Sequence, residues 1–372
     1  MSQVIAMICL NCLSAASKPS EVLVYVGTYT QRGSEGIYVY RLDPATGGLK
    51  PVGKSPRLKD PSFLALDPKG RCVYAVRESG GPSGAVIALA RDPVTHELTL
   101  LNEQPSGGRG PCYVTVDREG LFALAANYGS GSVALFPIAE DGHLQPASSV
   151  IQHEGSSVNA SRQKGPHAHS IVLDPANRFA YAPDLGIDKI MIYRLDREQG
   201  KLVPNDPPFA QCEPGSGPRH FTFHPDGKHA YVIEELSSTV TVFDYDAASG
   251  ALKSRQKIST LPKDFKGNST CAEVQVHPSG RFLYGSNRGH DSIAVFAIDP
   301  KTGELRALGH TPTQGKNPRN FAIDPSGVFL LAANQDSNTI VSFRINSDTG
   351  ELTPTGQVCQ VSMPVCVKMV KP

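Results

Sequence analysis

One tight turn recurs along this chain at a spacing of about fifty residues, and it limits the possible folds more severely than any other feature. An apolar run ends in Asp-Pro-x-Gly or a close variant at Asp67-Pro68-Lys69-Gly70, Asp117-Arg118-Glu119-Gly120, Asp174-Pro175-Ala176-Asn177, His224-Pro225-Asp226-Gly227, His277-Pro278-Ser279-Gly280 and Asp324-Pro325-Ser326-Gly327. Pro pre-sets the second turn position, Gly supplies the permissive dihedral, and Asp can bond back to the backbone. A second turn, Asp-x-x-x-Gly-x-Leu or similar, recurs around Leu49, Leu98, Leu144, Leu202, Leu252, Leu305 and Leu352. A fixed period of this size marks a repeat architecture.

The last repeat, residues 318–363, exposes the unit. Residues 321–323 form a short apolar strand that ends in the first turn. Residues 328–332 form a second strand, followed by the polar loop Asn334-Gln335-Asp336-Ser337-Asn338. Residues 339–345 are β-branched and partly alternating, and Leu352 opens a more polar fourth segment. Four short strands per repeat is the pattern of a β-propeller blade. No convincing amphipathic helix interrupts the series, which disfavours helical and leucine-rich solenoids. The chain contains no Trp, which excludes the Trp-Asp type of propeller.

The first turn occurs six times and the second seven times, and the missing copy falls between the chain ends. Residues 364–370 read as a first strand with no second strand after it. Residues 22–26 and 37–42 read as second and third strands with no first strand before them. Pairing the C-terminal strand with the N-terminal strands completes one composite blade, closes the ring and removes two exposed sheet edges. The expected fold is all-β: a seven-bladed propeller of four-stranded blades over residues 21–372, preceded by a leader or tail over residues 1–20.

A length of 372 residues would ordinarily suggest more than one domain, but no blade can bury both faces alone. The 30 Pro and 35 Gly sit periodically in turns and so signal turns rather than disorder. A formal net charge of +1 with no Lys/Arg run gives no reason to expect nucleic acid or an anionic membrane as partner. Cys72, Cys112, Cys271 and Cys366 lie in or beside predicted strands and read as buried, reduced thiols. Cys9 and Cys12 form a Cys-x-x-Cys pair in the leader with nothing nearby to complete a metal site. The apolar run 4–13 and the small residues Ser14-Ala15-Ala16 have the form of a secretory signal. No basic residue precedes the run, however, and it is shorter than a membrane span. A cytoplasmic protein is expected, with export as the alternative if residues 1–16 are cleaved, and no stable membrane insertion.

Strand direction alternates through each blade, so all the Pro/Gly-rich turns fall on one face of the ring. The second-to-third loops, and the connections into each first strand, must share the other face. There the sequence carries Gly165-Pro166-His167-Ala168-His169, Gly217-Pro218-Arg219-His220, Cys271-Ala272-Glu273 and Asn317-Pro318-Arg319-Asn320. It also carries Arg77-Glu78, Asn127-Tyr128-Gly129, Asp184, Glu234-Glu235, Asn287-Arg288-Gly289-His290 and Asn334-Gln335-Asp336. Function on connecting segments held by a rigid scaffold is the usual arrangement. Any one of these residues suits a solvated loop or an ion pair between blades, and His220, His224 and His277 sit at turn or strand-edge places. Their collection on one rim is the stronger signal, because strands such as Phe221-Thr222-Phe223 need no preceding Arg-His pair to fold.

At Val24-Tyr25-Val26-Gly27-Thr28-Tyr29-Thr30, Gly165-Pro166-His167-Ala168-His169-Ser170, Gly217-Pro218-Arg219-His220 and Ser286-Asn287-Arg288-Gly289-His290-Asp291-Ser292-Ile293 the chain resembles the seven-bladed lactonase family. These are the propeller-type 6-phosphogluconolactonases, with the fungal carboxy-muconate lactonizing enzymes as relatives. The resemblance runs from about residue 22 to the C-terminus. It implies hydrolysis of 6-phosphogluconolactone to 6-phosphogluconate, a step of glucose metabolism in the pentose phosphate pathway, with no metal and no cofactor. The His, Glu and two Arg of the muconate-converting relatives correspond to His169 or His167, Glu235 or Glu234, Arg219 and Arg288.

Lactone hydrolysis needs a base for water, a donor for the developing oxyanion and an acid for the ring oxygen. Glu235 or His169 is the expected base. Arg219 and Arg288 are expected to hold a phosphate or carboxylate, since a guanidinium fork matches such groups bidentately. Asn127, His220, Asn287, His290, Arg319 and Asn320 complete the expected substrate contacts. No nucleophile elbow or Ser-His-Asp spacing occurs, so water attacks directly. The alternatives are a muconate-type lactonizing cycloisomerase using the same residues, and a propeller that binds without turnover.

Overall fold

The computed structural model describes residues 21–79 and 84–371, so the expected leader, with Cys9 and Cys12, lies outside the described residues. It contains seven antiparallel sheets of four strands each. The composite blade, blade 1, runs Pro364–Val370, Leu23–Thr28, Tyr38–Leu42 and Leu49–Lys54 from axis to rim. Its closure is an antiparallel ladder in which Val24 faces Met369 and Val26 faces Val367. Blades 2 to 7 begin with the inner strands Leu64–Leu66, Pro111–Val116, Val172–Leu173, Pro218–Phe223, Thr270–Val276 and Pro318–Ile323. In the last repeat the second strand is Phe329–Asn334, longer than its apolar run, because Asn334 still pairs with Thr339 and Pro318.

The inner strand of a blade is not its most buried one. In blade 3 the second strand, Phe122–Asn127, is buried throughout, whereas Pro111–Val116 is only partly buried. The second strand is covered by neighbouring blades on both faces, while the first strand borders the axial tunnel. Outer strands such as Leu49–Lys54 are mostly exposed.

Neighbouring blades are fastened by a repeated device. A second-strand tyrosine donates its hydroxyl to a glycine carbonyl in the next blade: Tyr74 to Gly142, Tyr181 to Gly250, Tyr231 to Gly303 and Tyr284 to Gly350, at 2.7–3.0 Å. Gly250 and Gly350 have φ of 76° and 75°, and a Cβ there would lie 2.7 and 2.5 Å from the rings of Phe179 and Phe282. The left-handed conformation and the close approach both require glycine.

The Asp-Pro-x-Gly turns are equally regular. Asp324 Oδ1 accepts the N–H groups of Val328 and Phe329, both at 2.7 Å, and Asp117 and Asp174 act likewise. In blades 5 and 6, His224 and His277 stand in that place and donate from Nε2 to the carbonyls of Gly280 and Gly327 in the following blade. All six described cysteines are unpaired, and five, including Cys72, Cys112, Cys271 and Cys366, are buried.

Candidate active site

On the rim opposite these turns, the inner strands bend as they start. Pairing with the second strand skips Cys112 in blade 3, Arg219 in blade 5 and Arg319 in blade 7. Each is the second strand residue, directly after Pro111, Pro218 or Pro318. An extra residue at such a bulge leaves the ladder and re-aims its side chain, here toward the tunnel mouth. A similar break in blade 6 covers Ala272 and Glu273.

Glu235, just past the second strand of blade 5, is the centre of one half of the site. Its Oε1 accepts Arg162 Nη2 at 2.7 Å; its Oε2 accepts Arg219 Nε at 2.9 Å and forms an ion pair with Arg288 Nη2, also at 2.9 Å. His169 Nε2 lies 3.8 Å from the same Oε2. Arg219 is fully buried and also donates from Nη1 to the Ala272 carbonyl at 2.6 Å and to His220 Nε2 at 3.2 Å. Burial opposes the charge on Glu235, but Arg288 and Arg219 together hold its carboxyl well below the usual range. Burial, with Arg288 and Arg319 nearby, pushes Arg219 down to about 10, which leaves it charged at neutral pH. Burial and the neighbouring Arg219 hold His169 well below the usual imidazole range, so it is neutral.

Glu78, at the corresponding place in blade 2, organises the other half. Its carboxylate accepts the Tyr29 hydroxyl at 3.0 and 3.1 Å and the Ser62 hydroxyl. Arg319 Nη2 donates to the Tyr29 hydroxyl at 3.2 Å, and its guanidinium lies 5.6 Å from that ring's centre. Among the described residues, no carboxylate lies within ion-pair distance of Arg319. The two halves face each other across a cavity of about 320 Å³ lined by Glu78, Tyr128, Arg162, His169, Glu235, Arg288 and Arg319, among others. The Cys112 thiol also borders it, 3.6 Å from His169 Nδ1, and donates to the His169 carbonyl at 3.3 Å. Burial pushes that thiol far above its ordinary value, so it is no thiolate.

Below the cavity a buried chain continues down the tunnel. His220 Nδ1 lies 3.3 Å from Glu273 Oε2, which also accepts the Asn320 side-chain amide. Glu273 Oε1 accepts the Val274 N–H at 3.0 Å, and burial pushes this carboxyl up to about 7. Lys368 lies over the Phe63 ring, 4.5 Å from its centre.

Of the residues singled out by sequence, His169, Arg219, Glu235, Arg288 and Arg319 come together at the mouth. His220 and Asn320 lie in the chain beneath. His167 flanks the site: its Nδ1 donates to the Tyr128 carbonyl at 2.8 Å and its ring stacks on Tyr128. Four residues are not brought to the cavity. Glu234 turns away to accept Thr239 Oγ1 at 2.6 Å and to pair with Lys257 at 3.3 Å. Asn127 and Asn287 are fully buried and donate to the carbonyls of Ser106 and Thr260 at 3.0 and 2.7 Å, as Asn334 does to Thr313 at 3.0 Å. The recurrence of this clasp in three blades explains these asparagines as staples between strands. His290 bonds to Ser292 Oγ at 2.6 Å and packs edge-on against Phe265 and His310.

Tyr29, Ser62, Cys112 and Arg162 are not among the site residues expected from sequence, and Glu78 and Tyr128 are expected there only as rim residues. Arg162 was invisible because it reaches the site from the long 153–171 connection between blades 3 and 4. Asp184 ties that connection down, accepting His153 Nδ1 at 2.6 Å and the His167 N–H at 2.7 Å. Tyr29 and Glu78 carried a findable signal, since both directly follow second strands on the site rim.

On the opposite rim, His224, Asp226 and His229 converge closely enough to suggest a cation site. Their atoms already serve the turn. The Asp226 N–H donates to His224 Nδ1 at 3.1 Å and His229 Nδ1 donates to Asp226 Oδ2 at 2.8 Å.

Residues 23–369 match the family described as lactonase, 7-bladed beta-propeller. The 6-phosphogluconolactonase of Bacillus subtilis (strain 168) is 40% identical over 300 residues, covering 81% of this chain and 84% of that protein. The 6-phosphogluconolactonase of Formosa agariphila is 36% identical, covering 81% of this chain and 86% of that protein. The solved periplasmic gluconolactonase of Pseudomonas aeruginosa superposes with a TM-score of 0.90 at 35% identity, over 95% of this chain and 100% of that one. No helix among the described residues is long and apolar enough to cross a membrane. The chain belongs to the seven-bladed β-propeller lactonases, a family of lactone-opening enzymes.

Proposed function

We propose that the protein hydrolyses 6-phosphogluconolactone to 6-phosphogluconate at the mouth bounded by Glu78, His169, Glu235, Arg288 and Arg319. The observation that carries this reading is the imbalance of charge there. Four guanidiniums border or underlie the mouth, and the three on Glu235 share a single carboxylate. An anionic sugar lactone would supply the missing negative charge. The cavity, about 320 Å³, lies at the small end of the range usual for small-molecule sites.

Water adds to the lactone carbonyl, negative charge grows on its oxygen, and the ring oxygen leaves as a hydroxyl. Arg319, largely buried and with no carboxylate partner among the described residues, is suited to face the growing oxyanion, and one such donor typically contributes about 2.7–4 kcal/mol. Arg162, with its side chain 37% exposed, is the most accessible cation and suits the phosphate. Arg219 is too thoroughly engaged for that task; with Arg288 it fixes the orientation of Glu235. In this reading the expectation that Arg219 and Arg288 hold a phosphate or carboxylate gives way to a positioning role for both. A sugar-phosphate substrate goes with a cytoplasmic enzyme.

The test is acid release from 6-phosphogluconolactone and from glucono-δ-lactone, each measured against its spontaneous opening. Saturable acceleration with a lower KM for the phosphorylated lactone is expected. Opening at the spontaneous rate for both would overturn the reading.

A further inference from the structure

We infer that Glu78, rather than Glu235 or His169, is the base that takes the proton from the attacking water. The inference rests on the lactone-hydrolase reading above and names a catalytic residue for it. The lone pairs of Glu235 point at three guanidiniums, at 2.7, 2.9 and 2.9 Å. Proton uptake there would leave buried arginine charges without a counter-ion, a large penalty in a dry site. His169 is buried, and burial with the neighbouring Arg219 outweighs the Glu235 carboxylate 3.8 Å away, which disfavours the imidazolium it would become.

Glu78 differs in its partners. The Tyr29 and Ser62 hydroxyls hold its carboxylate, and among the described residues no Arg, Lys or His nitrogen lies within ion-pair distance. Two neutral donors fix the orientation of the group and leave acceptor capacity toward the cavity. The Tyr29 hydroxyl links Glu78 to Arg319, so proton acceptor and oxyanion donor belong to one hydrogen-bonded unit. A water between Glu78 and the carbonyl carbon would stand beside the guanidinium that meets the oxyanion.

The step balances without a co-reactant. Water oxygen bonds to the carbonyl carbon while its proton passes to Glu78. The tetrahedral intermediate then expels the ring oxygen, breaking the acyl C–O bond. That oxygen takes the proton back from Glu78. The product is the hydroxy acid, which ionises in solution.

The test compares wild type with Glu78→Gln and Glu78→Asp on 6-phosphogluconolactone, with glucono-δ-lactone in parallel, alongside 6-phosphogluconate affinity and thermal unfolding. Glu78→Gln keeps an acceptor for both hydroxyls and removes the base. A fall in kcat of at least about 100-fold is expected, with KM and product affinity within about threefold of wild type. Glu78→Asp, with its carboxylate withdrawn by one methylene, should retain measurable turnover and carries the test if the glutamine variant misfolds. A wild type that turns over while either folded variant keeps its full kcat would overturn the base assignment and leave the lactonase reading intact. A wild type inactive on both lactones would overturn the two together.

Discussion

The two rims of the ring use the same residue types for different purposes. On the turn rim, His224 and His277 donate to glycine carbonyls, and Asp117, Asp174 and Asp324 accept backbone N–H groups. On the other rim, His169, Arg219, Arg288 and Glu235 contact one another, and Glu78, Tyr29 and Arg319 form a second set. The turn rim spends polar groups on backbone and repeats them from blade to blade. On the site rim the clasp of Asn127, Asn287 and Asn334 repeats in the same way, but the groups around the cavity bond chiefly to one another and are not repeated. A polar residue whose partner is another unrepeated side chain is therefore the better marker of chemistry in this ring.

The sharpest break of that contrast is Glu235→Ala. It removes the shared acceptor of three guanidiniums, two of them deeply buried, and should reduce stability by about 3–5 kcal/mol. Denaturant unfolding measures this, and kcat/KM should fall at least about 1,000-fold. By linkage, the low carboxyl value of Glu235 stabilises the fold above the ordinary carboxylate range near pH 4.5. That stability is lost as pH falls below it.

Glu273 should behave in the opposite sense. Its folded value of about 7 exceeds the ordinary 4.5, so between these pH values the folded chain holds a proton that the unfolded chain has released. Stability contributed by this group therefore declines as pH rises from about 4.5 through 7 and is level above that. The groups that face it are Arg219, Lys368, His220, Asn320 and the Val274 N–H. Glu273→Gln should remove that decline, on the order of 2–3 kcal/mol, as read from unfolding midpoints at pH 5 and 8.

Arg162→Ala sharpens the comparison inside the site rim. An approximately tenfold rise in KM for the phosphorylated lactone is expected, about 1.4 kcal/mol, with little change for glucono-δ-lactone. The smallest effect belongs to the turn rim. His277→Ala should lose about 1 kcal/mol of stability, with kcat and KM unchanged, because only one link to the next blade is removed.

The repeat made the architecture legible, since each turn has a local chemical signature and the missing copy located the ring closure between residues 23–28 and 364–370. Which rim carries the unusual residues followed from strand alternation alone. Side-chain direction did not. Glu234 and Glu235 are adjacent, yet the strand ends between them, so one faces Lys257 and the other the cavity. Asn127 and Asn287 looked like substrate contacts because the strand end that makes them staples is visible only once the ladder is drawn. Arg162 is carried in by a long connection with no periodicity to fix it. The partners that tie Arg219 down, Ala272 and His220, depend on bulges that no spacing rule reveals.

The most direct test of the account is a crystal structure with 6-phosphogluconate bound. The product should occupy the cavity between Glu78 and Glu235, with its phosphate at Arg162 and its carboxylate within about 2.7–3.2 Å of Arg319. Product bound on the turn rim near His224, or seated in the cavity without touching either arginine, would contradict it.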